Sequence, residues 1–471
     1  MKSVGIFICN YNKREFVVNC IKSILNQSFQ DFDLYVIDNA SQDDSVEVIR
    51  REFGDKVNLI VNAENLGGSG GFNTGLRKGL AVGYPYLMLV DNDVVMDQDA
   101  VQSLYDFMKE HPEVGVGGAK ILRMDIPDMI QDLGAMITFD NYFVKPCFGG
   151  ERDREDLPEI KYCDYVSACT LMARREAVEQ VGVMPEDNFI YWDDMEWGYM
   201  FNRAGYKVAA CNKAKVWHRH TIANPTNTFV RYYMNRNRIN FFAKALPEEA
   251  LETFIDYILN ESFRELYGSH YKNKVNLIKS SMYALDDAIH RTRGKADPYK
   301  ILPKDEAEDC MVPLLKGVNT IGIRFIDQYD PQREDVKYYN LIEILCRIRK
   351  LSPDSSITVS VKDSSDRSET VMEKVDFLKA EKDDWMNYIR NIHYVDDFNG
   401  DQDLLLQMCE HVNKVTDKIL PVVYIDKWCN YIASEKDYLY FANYNNSREF
   451  FFQLYKPLFV EGVKKIREAN Q

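Results

Sequence analysis

The chain opens on two alternating kinds of block. Ser3 to Cys9, Leu34 to Ile37, Val57 to Val61 and Tyr86 to Val90 are short, nearly continuous apolar runs. Between and after them lie Glu15 to Asn26, Ser45 to Phe53, Phe72 to Ala81 and Ala100 to Glu110, with apolar residues three and four apart. The runs predict buried strands, and the spaced stretches predict helices with one apolar face. Strand and helix in alternation predict an α/β fold: a mostly parallel sheet with helices on both faces.

From Val114 the alternation loosens. Val114 to Ile121 predicts a strand, Ile130 to Pro146 a hairpin or excursion, and Gly149 to Glu159 a charged loop carrying Pro158. Tyr165 to Ala173, Val208 to Ala210 and Lys215 to Trp217 predict further strands, the last ending at His218. The first domain is expected to close near Asn224-Pro225, giving 1–225. Thr228 to Ile289 is mainly helical in pattern, and Arg291 to Asp309 reads as a linker, so 226–310 is expected as a helical segment. A smaller α/β domain, 311–471, follows. Its expected strands are Thr320 to Phe325, Ile357 to Val361, Ile392 to Val395, Val422 to Ile425 and Tyr438 to Phe441. Its expected helices are Val336 to Lys350 and one from about Arg448 to the end.

Composition narrows the class. The chain has 471 residues, 46% of them apolar, enough for several domains with substantial cores. The formal charge of −15 argues against general nucleic-acid binding, which needs a basic surface. Ten cysteines are scattered without zinc-ribbon spacing, so buried free thiols in a reducing cytoplasm are expected. The sequence begins almost at once with a strand, so no signal peptide is expected, and no apolar run has the length of a membrane span.

The candidate chemistry sits where strands end. The fourth strand runs into Asp91-Asn92-Asp93. Two carboxylates at the C-terminal edge of an open sheet suit Mg²⁺ or Mn²⁺ with phosphate oxygens, or else simply cap a turn. The other strands end in Asn10-Tyr11-Asn12, in Asp38-Asn39-Ala40-Ser41, and in Asn65-Leu66-Gly67-Gly68-Ser69-Gly70-Gly71-Phe72. Neighbouring strand ends share one crevice, so Asn10, Asn12, Asp38, Asn65, Gly70, Gly71, Asp91 and Asn92 would line a nucleotide-sized site. Asp38 can accept from a pyrimidine N3–H or from ribose hydroxyls. The glycines either let backbone N–H groups approach an anion at a helix start or merely make a tight turn. The run matches neither the dinucleotide fingerprint nor the Walker pattern, which argues against hydride transfer and ATPase chemistry.

With Trp192-Asp193-Asp194-Met195-Glu196-Trp197, Arg203-Ala204-Gly205-Tyr206 and Val216-Trp217-His218 added, the order from Val4 to His218 resembles family 2 glycosyltransferases of the GT-A fold. These are inverting enzymes that use nucleotide-activated sugars. The Gly-rich turn, the Trp-Asp-Asp-x-Glu segment and the Trp-His ending are most similar to the galactofuranosyl and rhamnosyl transferase branch. The resemblance implies Asp91, Asp93 and His218 as metal ligands, with Asp91 alternatively touching ribose. It implies Asp194 as catalytic base and Asp193 as an acceptor contact. Inversion needs one carboxylate to take the acceptor hydroxyl's proton during in-line attack, whatever the family. Asp193 and Asp194 would otherwise cap a helix, and Trp192 would stack on a sugar or fill the core.

The implied partners are a nucleotide-sugar donor, UDP-galactofuranose or a dTDP-rhamnose-like sugar, and a glycan or lipid-linked glycan acceptor. The implied setting is surface polysaccharide synthesis in the cytoplasm or at the inner face of the cell membrane; homo-oligomerisation is left open. Phe229, Tyr232, Tyr233, Phe241 and Phe242, interleaved with Arg231, Arg236, Arg238 and Lys244, form either a membrane-facing flank or a helix packed over the sheet. Two rival readings are a sugar nucleotidyltransferase, which would normally carry glycines near the first strand, and a non-catalytic carbohydrate-binding relic. Asp327, Asp330, Asp396 and Asp397 in the last domain read as solvated loop residues.

Overall fold

The computed structural model describes all residues except 1, 220–226, 307, 327–340, 342–343, 346, 363–391, 396–397, 399, 416–421 and 470–471. The described chain divides into two compact units. The first comprises Met1–Ile258, Lys279–Lys304 and Leu458–Gln471, and the second Leu259–Ile278 and Asp305–Pro457.

The first unit begins β1 (Val4–Asn10), α1 (Arg14–Leu25), β2 (Phe32–Asp38), α2 (Ser45–Phe53), β3 (Asn58–Val61), α3 (Gly67–Val82) and β4 (Tyr86–Asp91). It continues β5 (Val94–Met96), α4 (Ala100–Glu110), β6 (Val114–Arg123), β7 (Ile130–Asp132), β8 (Ala135–Thr138), β9 (Phe143–Pro146), β10 (Ile160–Cys163) and β11 (Thr170–Arg174). After α5 (Arg175–Val181) come α6 (Asp193–Arg203), β12 (Lys207–His218) and α7 (Thr228–Ala245). The main sheet runs β10-β12-β6-β11-β4-β1-β2-β3. β3, β2, β1 and β4 are mutually parallel, and β11 is antiparallel to both β4 and β6. β1 and β4 are central and covered on both faces, which is why their sequences are apolar throughout.

Three expectations about this unit change. The Gly-rich run is not a turn leading into a helix at Phe72; it is the first turn of α3, which starts at Gly67. The two short strands before His218 are one twelve-residue strand, β12, with an irregularity between Cys211 and Lys215. Asp91 and Asp93 do not share a strand: β4 stops at Asp91, and a turn separates it from β5. The expected closure at Asn224-Pro225 lies outside the described residues.

Helix α7 groups with the sheet domain rather than with a separate helical segment. It is buried almost all round, Arg236 and Asn237 included. The chain's last stretch returns to the same unit, where Arg467 donates to Ala243 O.

In the second unit, β13 (Thr320–Ile326), β14 (Ser356–Lys362), β15 (Ile392–Val395), β16 (Leu404–Met408), β17 (Val423–Ile425) and β18 (Tyr431–Ile432) form a sheet ordered β15-β14-β13-β16-β17-β18. Its core includes Ile321, Ile323, Ile344, Leu345, Ile348, Ile357, Val359, Leu406 and Ile425. Tyr438 to Phe441, expected as a strand, lies inside the helix Glu435–Ala442. A capping box between Ser434 and Asp437 starts that helix and overrides the aromatic run's strand preference. The terminal helix begins at Tyr444, a turn earlier than expected. Asp327, Asp330, Asp396 and Asp397 lie outside the described residues. Among the described residues, no helix is long and apolar enough to cross a membrane.

Candidate active site

Two register relations build the site's centre. β5 pairs antiparallel with the end of β12, placing His218 opposite Val94. The His218 ring therefore returns to the acidic turn, with Nε2 3.2 Å from Asp93 Oδ1. β7 flanks β6 on its other side and brings Gln131, whose Oε1 lies 2.9 Å from His218 Nδ1. With Gln131 accepting from Nδ1–H, Nε2 faces Asp93 and is the nitrogen that a cation would take on displacing its proton. Asp91 and His218 offer ligand atoms within 4.8 Å of each other, together with Cys169. That donor set fits a divalent ion, and Asp93 Oδ1, 3.2 Å from His218 Nε2, adjoins the trio.

Asp93 also accepts from Lys13 Nζ at 2.7 Å. Burial opposes its charge, but His218 and Lys13 outweigh that and hold the carboxyl well below its ordinary range. Asp91 shifts the other way, raised by burial and by the Asp93 charge. Burial alone would lower His218, yet its hydrogen bond to Asp93 and the charge of Asp91 raise it.

Asp193 and Asp194 open α6. The loop before them is backbone-strained: Phe189, Tyr191 and Trp192 have φ of 66°, 62° and 66°, a region non-glycine residues rarely enter. Helix α7 holds it there. Asn237 Nδ2 lies 2.9 Å from the carbonyls of Asn188, Ile190 and Tyr191. Arg236 donates to Asn188 O at 3.1 Å. Asp194 accepts from Ala168 N and Met195 N, which fixes its carboxyl beside the loop leading to Cys169. Neither aspartate's side chain caps the helix; Trp192 occupies the cap position. Burial raises both carboxyls. For Asp193 the neighbouring Asp194 charge comes next; Asp194 also feels Asp91, which places its carboxyl in the field of the cation site. A further acid, Asp132, is pushed up to about 7, chiefly by burial; His218 opposes the shift and the Asp194 charge adds to it.

The strand-end polar residues are arranged differently from expectation. Asn92 donates to Asn10 at 2.9 Å, and Asn10 donates to Asp38 at 3.0 Å. Asp38 accepts its other bond from Ser41 N at 2.8 Å and is wholly buried. This chain of bonds ties the ends of β4, β1 and β2 together; Asp38 has both oxygens engaged by the protein. Asn12 and Asn65 lie at the surface and half-buried respectively. Asn65 accepts from Asn39 and from Gly67 N.

Packing accounts for several of the expected contact residues. Gly70 and Gly71 have a packing reason to be glycine that needs no anion. A Cβ at Gly71 would lie 2.3 Å from Cys9 Sγ, and one at Gly70 2.6 Å from Leu66 Cβ. They are glycine because α3 packs directly against its surroundings. Trp192 is fully buried, its ring 5.3 Å from Phe241 and 5.6 Å from Phe242, so it is core rather than a sugar platform. For the same reason α7 is not a membrane flank. Tyr232, Tyr233, Phe241 and Phe242 are buried, and Arg238 pins the β8–β9 hairpin by donating to Asn141 O and Tyr142 O.

Sequence reasoning missed Lys13, Gln131, Asp132, Cys169, Arg236 and Asn237. Lys13 was one step from the Asn-Tyr-Asn motif. Asn237 had a signal in the polar run Asn235 to Arg238 between aromatic residues. Gln131, Asp132 and Cys169 had none, because strand pairing alone brings them in.

Residues 5–182 match the family model described as Glycosyl transferase family 2. Over 104 residues the chain is 29% identical to the chondroitin synthase of Escherichia coli, covering 22% of this chain and 15% of that protein. Over 236 residues it is 27% identical to the O-antigen chain rhamnosyltransferase RfbN of Salmonella typhimurium, covering 49% of this chain and 70% of that protein. Among solved structures, GalNAc-T7 with UDP, GalNAc and Mn²⁺ aligns with a TM-score of 0.42 at 13% identity, over 51% of this chain and 48% of that one. The family 2 match thus lies within the sheet domain, and the chain spans only part of the chondroitin synthase it resembles. The family match ends before Asp193, Asp194 and His218, so their roles rest on the geometry above.

Proposed function

We propose that this protein is an inverting, divalent-metal-dependent glycosyltransferase. The observation that carries the reading is the return of His218 to within 3.2 Å of Asp93, with Asp194 fixed nearby on the half-buried start of α6. Asp194 takes the proton of the acceptor hydroxyl as that oxygen attacks the anomeric carbon in line with the departing nucleotide. Its raised pKa makes it a stronger base than an ordinary carboxylate. Lys13 and His218 hold Asp93 charged and oriented. A divalent ion held by Asp91, Asp93 and His218 would supply positive charge against the leaving diphosphate.

The donor we propose is UDP-galactofuranose or a dTDP-rhamnose-like sugar, and the acceptor a glycan or lipid-linked glycan of a surface polysaccharide. The rhamnosyltransferase relative supports the second donor. A panel of nucleotide sugars, assayed for Mn²⁺-dependent donor hydrolysis and for thermal stabilisation, tests the proposal. Release of sugar and nucleoside diphosphate from one donor supports it. Pyrophosphate release from a nucleoside triphosphate would establish the nucleotidyltransferase reading instead, and stabilisation without hydrolysis the relic.

A further inference from the structure

We infer that the cation site has a second, thiophilic mode, in which Asp91, Cys169 and His218 hold Zn²⁺ or Cd²⁺ in place of a hard ion. The inference rests on the metal-site reading above and adds a ligand to it. β11 runs antiparallel to β4 with Thr170 opposite Val90, and Asp91 N donates to Cys169 O at 2.9 Å. Residues directly opposite in an antiparallel pair project to the same face, so the register places the Cys169 thiol beside the Asp91 carboxylate. One ligand atom from each of Asp91, Cys169 and His218 lies within 4.8 Å of the others. Donors around a tetrahedral zinc ion stand about 3.3–3.8 Å apart, so the trio needs to close by roughly 1 Å.

The two modes share Asp91 and His218 and differ in the third ligand. Mg²⁺ and Mn²⁺ prefer oxygen and would recruit Asp93. Softer ions favour sulfur and would recruit Cys169. Asp93 is engaged by Lys13 at 2.7 Å, while the buried Cys169 sulfur lies within 4.8 Å of ligand atoms of both Asp91 and His218. On binding, the thiol gives its proton to the buffer and the thiolate sulfur forms the bond to the ion. An ion so held occupies the ligands that the hard ion needs, making the site one at which thiophilic metals compete.

The test uses the reduced full-length chain titrated with Cd²⁺ and read by the ultraviolet thiolate-to-metal charge-transfer band, with Mn²⁺ binding followed separately by electron paramagnetic resonance. The expected result is a band that saturates with one ion per chain and is lost in Cys169→Ser. That variant should bind Cd²⁺ at least about ten-fold more weakly while its Mn²⁺ affinity stays within about two-fold. Cys20→Ser, which alters a neighbouring buried thiol, should keep the band. Persistence of the band in Cys169→Ser, or Cd²⁺ binding to the wild type without one, overturns the inference but leaves the hard-ion site standing. Failure of both Mn²⁺ and Cd²⁺ to bind overturns both. If Cys169→Ser does not fold, alkylation of the wild-type protein decides: bound Cd²⁺ must protect Cys169, and its modification at the metal-free rate refutes the inference.

Discussion

Asn237 lies outside every motif of the candidate site, yet the geometry makes it a strut for the segment leading into Asp194, the proposed base. Its side-chain amide has two hydrogens and faces three carbonyls, those of Asn188, Ile190 and Tyr191, each at 2.9 Å. These carbonyls belong to the segment holding Phe189, Tyr191 and Trp192 at positive φ, a conformation costing roughly 1–3 kcal/mol per residue. Asn237→Ala removes two donated bonds and strands their acceptors, which costs ~2–4 kcal/mol of local stability. Hydrogen exchange across residues 188–195 should then speed up by about 30- to 1000-fold. Because the same segment aims Asp194, kcat should fall by roughly 10- to 100-fold, with donor KM little changed. Asn237→Asp should be worse than Asn237→Ala, since it turns a carboxylate toward carbonyl oxygens. Unchanged exchange in that segment, together with wild-type turnover in Asn237→Ala, would refute the reasoning.

Three other outcomes follow from the site. Asp194→Asn keeps the shape but removes the base, so transfer should drop by about 10²- to 10⁴-fold while donor binding, measured by calorimetry, stays near wild type; turnover close to normal would remove Asp194 from its role. Exhaustive chelation should abolish transfer and Mn²⁺ should restore it, whereas full activity in the chelated enzyme would count against the Asp91, Asp93 and His218 ligand set. Asp132 is raised to about 7 in the folded protein, against 3.8 unperturbed. As pH rises from about 4 to about 7 the unfolded chain ionises this acid while the fold resists, so the fold loses stability across that window. Asp132→Asn should accordingly stabilise the protein by roughly 2–4 kcal/mol at pH 8 and much less at pH 4, in denaturant unfolding monitored at both values; an equal effect at the two values would contradict the burial argument.

The sequence by itself determined the sheet and where its chemistry would lie. Apolar runs such as Val4 to Cys9 and Leu87 to Val90 can only be covered strands, and the polar residues that end them must gather along one edge. The distance in sequence between Asp93 and His218 did not hide their meeting, because the motifs around both were legible. The tertiary structure decided which residues complete the site and which only build it. Strand register, which no local pattern encodes, put Gln131 behind His218 and Cys169 beside Asp91. Helix packing made Trp192 core and gave Gly70 and Gly71 a steric reason to be glycine. It also made α7, whose charges suggested a surface, the buried support of the strained loop before Asp193 and Asp194. Local periodicity reports which face of an element is apolar; what lies against that face depends on chain segments too far away to leave a trace in it.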